Sequence, residues 1–287
     1  MKKYLSWRIL PIILLLNTFI LAQNRHEFSL YAGGGLSTFN YDAASGEQKS
    51  GLGGLGGLGY SYFFTEKFGL RSGLEIAFYN SEYKLGDLSA EAPATDIDGN
   101  DFLFRSAISG YKEKHGAAML QIPIMAQFQF GDDTRYYVAF GGKAGFPLSD
   151  EFKGSDAKVA NSGYYGKENF EYTEQEFLGF GEYNAKGSKG AADFGVALLG
   201  SVETGMKFNL SDGLALYAGV YFDYGLNNAK PSGSKEIVEY YAQNTAEYSV
   251  NSILNSRSGG KPVVKEVAPM ATGLKLQLAF GRGKTTP

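Results

Sequence analysis

Gly116-Ala-Ala-Met-Leu-Gln-Ile-Pro-Ile-Met-Ala-Gln-Phe-Gln-Phe130 changes character at every residue. Ala118, Leu120, Ile122, Ile124, Ala126, Phe128 and Phe130 fall on one side, and Met119, Gln121, Pro123, Met125, Gln127 and Gln129 on the other. A period of two places each set on one face of a strand, whereas a helix would need a repeat of 3.6. The same period governs Leu70–Tyr79, with Leu70, Ser72, Leu74, Ile76 and Phe78 opposed to Arg71, Gly73, Glu75, Ala77 and Tyr79.

Working outward, eight such runs cover about 28–39, 52–64, 70–82, 116–130, 135–148, 191–208, 214–226 and 269–281. The connections alternate in length. Thr65–Gly69, Gly131–Thr134 and Asn209–Gly213 are short, while about 40–51, 83–115, 149–190 and 227–268 are long. Short turns at one end and long loops at the other are the pattern of an outer-membrane barrel. The expected fold is all-β: an eight-stranded antiparallel up-and-down transmembrane β-barrel over about 26–281, with long extracellular loops and no periplasmic domain. A water-soluble barrel also alternates, but its outer face would be rich in Lys, Glu and Thr. The polar face here is mostly Gly, Ala, Ser and Gln, small enough to fill a narrow lumen. Aromatics edge the apolar face as two girdles. Phe28, Tyr60, Phe64, Phe128, Phe130, Tyr136, Phe208 and Phe280 lie near the short turns; Phe39, Tyr41, Phe78, Phe146, Phe194, Phe222 and Tyr224 lie near the loops.

The remaining composition narrows the classes. The chain has 287 residues, 15% aromatics, 39 Gly, no Cys and a formal charge of −3. That excludes a disordered chain, a disulfide scaffold and a thiol nucleophile, and gives no basic field for nucleic acid. Lys2, Lys3 and Arg8 precede the apolar run Ile9–Ala22. A basic start and about 14 apolar residues describe a cleaved signal peptide, residues 1–22, with cleavage near Ala22 or Gln23. The mature domain is then 23–287, of which 282–287 form a short tail. Export to the outer membrane of a Gram-negative bacterium follows.

Gly69-Leu-Arg-Ser-Gly-Leu-Glu75, Leu120-Gln-Ile-Pro-Ile124 and Asp223-Tyr-Gly-Leu-Asn-Asn228, in that order, resemble the PorT-like family of small outer-membrane β-barrel proteins. The resemblance spans about 28–281. It implies an eight-stranded barrel in the outer membrane and no particular reaction; some members assist a secretion system that exports surface proteins. Family barrels commonly stop at the terminal aromatic, whereas here Gly281–Pro287 follow Phe280.

Six charged residues have inward parity: Arg71, Glu75, Lys143, Glu203, Asp223 and Lys275. An unpaired charge in the lumen costs several kcal/mol, so a paired structural network is expected. Lys143 and Glu203, on neighbouring strands at similar depth, are the expected pair. Gly51-Leu-Gly-Gly-Leu-Gly56 contains G-x-G-x-x-G, but a strand rather than a helix follows it, so it signals no nucleotide. Its glycines instead leave room for bulky neighbours. No cofactor and no metal site are expected, because the only histidines, His26 and His115, are far apart.

Two surface features remain. Tyr164, Tyr165, Phe170, Tyr172, Phe177 and Phe180 lie in an acidic, aromatic stretch of the third long loop, a candidate partner-binding surface. Lys235–Tyr248 has apolar Ile237, Val238, Tyr241 and Ala242 at helical spacing and is expected to form a short amphipathic helix over the barrel mouth. The leading functional reading is a non-enzymatic surface barrel whose partners are outer-membrane lipid, the barrel assembly machinery and surface or secretion-system proteins. The alternative is a rim enzyme acting on lipid A or peptides through His115, with Asp193, Asp223 or Ser149 nearby.

Overall fold

The computed structural model describes residues 25–43, 45–131 and 135–281. The segment read as a signal peptide, most of the connection Gly131–Thr134 and the tail 282–287 lie outside the described residues. The main sheet is made of eight long strands, β1 (His26–Ala43), β2 (Gly46–Phe63), β3 (Phe68–Leu85), β4 (Lys112–Phe130), β5 (Arg135–Gly154), β6 (Ala197–Ser211), β7 (Leu214–Gly225) and β8 (Val264–Phe280), with the short strand Lys189–Gly190 added alongside β5. Each long strand pairs antiparallel with the next in sequence, and β8 pairs antiparallel with β1. The all-β barrel follows from those pairings. Among the described residues no helix is long and apolar enough to cross a membrane, which says nothing of a barrel that crosses with strands.

The alternation read in β3 and β4 is the alternation of the wall. Leu74, Ile76, Ile124 and Phe128 project outward and exposed; Arg71, Glu75, Gln121 and Met125 project inward and buried. Glycine shapes the lumen at two places. A Cβ on Gly57 would meet the Tyr31 ring at 2.8 Å, and one on Gly219 would meet the Tyr137 hydroxyl at 2.5 Å. The inward tyrosines therefore occupy space that their cross-strand neighbours leave free.

Several boundaries differ from the sequence expectation. Residues 40–51 are not a long loop. β1 runs to Ala43 and β2 starts at Gly46, because the upper part of β1 pairs with β8 while the upper part of β2 pairs with β3. β6 begins at Ala197 rather than 191, since Asp193 has φ 55° and breaks the extended run. Phe194 accordingly turns inward, and Phe39 and Tyr41 share the inward parity of Tyr31; all three are buried and belong to no outer girdle. The other girdle aromatics, from Phe28 to Phe280 and from Phe78 to Tyr224, are exposed.

The three remaining long connections fold into a cap. Its sheet has the order Ser249–Val250, Gly181–Gly187, Ala157–Tyr165, Asp101–Ser109 and Leu88–Thr95, with Phe170–Tyr172 alongside Ala157–Tyr165. One face carries a core of Phe102, Phe104, Ile108, Val159, Phe180 and Tyr248. The helix expected over Lys235–Tyr248 is absent: Lys235–Glu236 is a strand parallel to Ser256–Ser258, and Val238 bridges Val250. Ile237 and Val238 are buried by that pairing rather than by a helical face.

Lys275 and Leu276 are adjacent on β8, yet Lys275 is 4% exposed and Leu276 57%. Leu276→Arg adds a cation one residue further on, on the lipid side. Bilayer unfolding should show a loss of about 2–4 kcal/mol near the midplane.

Candidate functional site

The lumen is stacked in three polar layers. The lowest joins β1, β4, β6 and β7. Lys207 Nζ donates to Glu27 Oε2 at 2.8 Å, the Tyr217 hydroxyl donates to Glu27 Oε1 at 2.7 Å, and Gln129 Nε2 donates to the Tyr217 hydroxyl at 2.9 Å. Sequence reasoning missed this layer. Glu27 lies just before the first alternating run, though it shares the parity of Ser29 and Tyr31.

The middle layer contains the six charges read as inward from the sequence, arranged as one alternating chain. Arg71 pairs with Glu203, whose Oε1 accepts from Lys275 Nζ at 2.7 Å. Lys275 Nζ lies 3.8 Å from Glu75 Oε2, and Glu75 Oε1 accepts from Lys143 Nζ at 2.8 Å. Lys143 ends the chain on Asp223 Oδ2 at 2.9 Å. Tyr31, seated in the space beside Gly57, covers Lys275 with its ring at 3.9 Å from Nζ. The expected contact between Lys143 and Glu203 is not among these pairs. The β5–β6 register sets Lys143 opposite Leu199 and Glu203 opposite Ala139, so the two carboxylates nearest Lys143 come from β3 and β7 instead.

The top layer carries His115. Its Nδ1 lies 2.7 Å from the Tyr41 hydroxyl and its Nε2 2.8 Å from Glu113 Oε1. Tyr41 also meets Ser81 Oγ at 2.6 Å. Glu113 accepts from the Tyr111 hydroxyl at 2.7 Å, from Ser252 Oγ at 2.5 Å and from the Ile253 amide at 3.0 Å. Glu113 thereby fixes the last long connection to the barrel rim. The candidate partners of His115 are elsewhere. Asp223 is in the middle chain, Asp193 is exposed, and Ser149 shares the outward face of Ala118. Both ring nitrogens are engaged, Nδ1 by the Tyr41 hydroxyl and Nε2 by the Glu113 carboxylate, and all three side chains are buried. Among the described residues no cluster of three or more His, Asp or Glu is placed to hold a metal ion. His26, the other histidine, meets the Tyr60 hydroxyl at 2.7 Å.

The candidate partner surface divides in two. Tyr165 and Phe180 are buried in the cap core: Tyr165 stacks on Phe102 at 5.0 Å, and Phe180 fills the space that Gly163 leaves. Tyr164 and Tyr172 are half-buried, while Phe170 and Phe177 are exposed, at 55% and 77%. Tyr241, absent from the sequence-based set, is exposed at 54%. Two carboxylates stiffen this end. Burial pushes the Asp96 carboxyl up, but the Asn100 amide and side chain, the Tyr165 hydroxyl and the Asp98 amide outweigh it and hold it below its usual range. Glu171 is also lowered, chiefly by the Ser162 hydroxyl and then by Arg105.

A barrel with an apolar, aromatic-edged outer wall and a lumen closed by ion pairs belongs to the membrane β-barrel class. Residues 21–230 match the family described as the outer membrane protein beta-barrel domain, and the chain belongs to that family. Comparison with curated proteins gives no match. Similar solved structures include Neisserial surface protein A, at 12% identity over 90% of this chain and 97% of that one, with a TM-score of 0.33. OprG from Pseudomonas aeruginosa follows at 11% identity, 90% and 97% coverage and a TM-score of 0.32. Ail, the attachment invasion locus protein of Yersinia pestis, is similar at 13% identity, 89% and 99% coverage and a TM-score of 0.31.

Two measurements check this geometry. A double-mutant cycle of Lys143→Met with Asp223→Asn should show coupling, and the same cycle with Glu203→Gln much less. Lys143→Met alone leaves buried Asp223 without its cation and Glu75 with Lys275 at 3.8 Å, and should cost about 3–5 kcal/mol. For Asp96, a lowered folded pKa means that its contribution is present above the unfolded value, about 3.9. It is lost as pH falls through the folded value. The melting-temperature difference between wild type and Asp96→Asn should therefore persist near neutrality and vanish well below pH 4.

Proposed function

We propose that the chain is a non-enzymatic, eight-stranded antiparallel outer-membrane barrel that displays a rigid cap for surface interaction. The signal segment exports it, the short turns face the periplasm, and the cap faces outside. The observation that carries this reading is the division of labour between lumen and cap. Buried ion pairs and tyrosines fill the lumen, while the cap has its own core and still exposes Phe170, Phe177 and Tyr241. A plugged lumen supports anchoring rather than transport. Exposed aromatics on a rigid support favour an interface. The resemblance to PorT-like barrels extends this to a secretion accessory role, with a secretion-system or other surface protein as the cap's partner.

The rim-enzyme alternative loses its support because His115 is 2% exposed and tied to Tyr41 and Glu113. The test combines four readings. Amine labelling of intact cells should modify Lys158 on the cap. A photo-crosslinker at position 177 should capture a protein that Phe170→Ser/Phe177→Ser fails to retain. His115→Ala should leave the lipid A profile and peptide cleavage unchanged; a change in either would restore the enzyme. Planar-bilayer recording should show no large stable currents, and such currents would remove the anchoring role.

A further inference from the structure

Above the apolar band, the outward face of the wall changes to lysine on one side of the barrel. On β3, the parity of Leu74, Ile76 and Phe78 continues through Asn80 and Glu82 to Lys84. On β4, Lys112 and Lys114 precede Gly116, Ala118 and Leu120 on the same face. The register then sets lysine against lysine: Lys84 opposite Lys112, Lys114 opposite Lys153, and Lys153 opposite Lys189 of the short strand Lys189–Gly190. All five are exposed.

Directly opposed like charges on one face destabilise a sheet. The acids on this wall compensate only in part. Glu82 lies 3.8 Å from Lys114, Glu47 stands opposite Lys84, and Glu151 stands opposite Gly116. The chain as a whole carries −3, so the patch runs against its own background. It is also one-sided. On the β1–β8 wall, Asp42 stands opposite Glu266, with Lys265 next in the chain.

Height identifies the occupant. Lys114 is four residues beyond Ala118, which pairs with Phe78 of the outward aromatics. At about 3.3 Å per residue and a tilt near 40°, the backbone of Lys114 and its partner Lys153 stands roughly 10 Å above that ring, and that of Lys84 and Lys112, two residues further on, roughly 15 Å. That is headgroup depth. Resting on the orientation proposed above, we infer that the β3–β4–β5 wall binds the phosphate groups of an outer-leaflet glycolipid. Phosphates between Lys84 and Lys112, and between Lys114 and Lys153, turn the repulsion into paired attraction, while the acyl chains lie against Ile76, Leu120 and Phe146 below.

The experiment uses the purified full chain in detergent and native mass spectrometry with lipid A bearing two phosphates. Wild type should retain the lipid. Lys112→Gln/Lys114→Gln/Lys153→Gln should bind it on the order of a hundred-fold more weakly. The corresponding triple Lys→Arg variant should retain binding, and unchanged heat-modifiable mobility confirms that each variant is folded. Dephosphorylated lipid A should bind wild type no better than the Gln variant binds the intact lipid. Equal binding by both triple variants overturns the proposal. Inorganic pyrophosphate binding as tightly as lipid A overturns the lipid assignment in favour of free phosphate. Loss of dextran sulfate binding without loss of lipid A binding overturns it in favour of a soluble polyanion. Failure of Lys158 to label in intact cells speaks against the orientation alone, because lipid binding in detergent does not depend on it.

Discussion

An ionised side chain inside a narrow barrel has no bulk water to turn to, so each lumen charge must be met by another within it. The middle layer satisfies this with equal numbers of acids and bases in strict alternation, from Arg71 to Asp223. The chain draws on β3, β5, β6, β7 and β8, so a slip in any of their registers would separate a pair. Neutralisation and register are then one constraint. The glycines belong to it too. Gly57 admits Tyr31, and Tyr31 roofs Lys275, which lies between Glu203 and Glu75.

The period of two made most of this legible before any coordinates. Parity alone placed Arg71, Glu75, Lys143, Glu203, Asp223 and Lys275 inside, because a one-residue rule needs no knowledge of neighbours. Partner choice was not legible. It depends on stagger between strands, which no single strand encodes, and so Lys143 meets Glu75 and Asp223 instead of Glu203. Phe39 and Tyr41 were misread because their aromatic character outweighed their parity with Tyr31. Phe194 was misread because the positive φ at Asp193 resets the alternation, a local event that hydropathy does not announce.

The cap was the larger omission, and its cause is physical. A strand buried on one face and open on the other reads clearly only when its open face is distinctly polar. Ala157–Tyr165 has Ala160 on the open face and Asn161 in the core, so its contrast is weak. The strand Leu88–Thr95 is hardly clearer, with Ala90, Ala92, Pro93 and Ala94. Nor could sequence show that Ile237, Val238, Ile253 and Leu254 close the same core from a later connection, separated from these strands by β6 and β7. Helical spacing at Ile237, Val238, Tyr241 and Ala242 was real, but pairing with Ser256–Ser258 and Val250 won over it.

β4 shows how one strand serves every layer. From Phe130 to Ala118 its outward side chains meet lipid, while Gln129, Met125 and Gln121 fill the lumen. At Gly116 both faces change together. Outward, the apolar residues give way to Lys114 and Lys112; inward, the neutral residues give way to His115 and Glu113. The inward pair anchors the cap through Ser252 and Ile253, at the same height as the outward lysines. The Glu113 carboxylate spends its acceptor positions on Tyr111, His115, Ser252 and Ile253 inside the wall. Glu113 is therefore committed to the cap, and the carboxylate beside the outward amines is Glu82, 3.8 Å from Lys114.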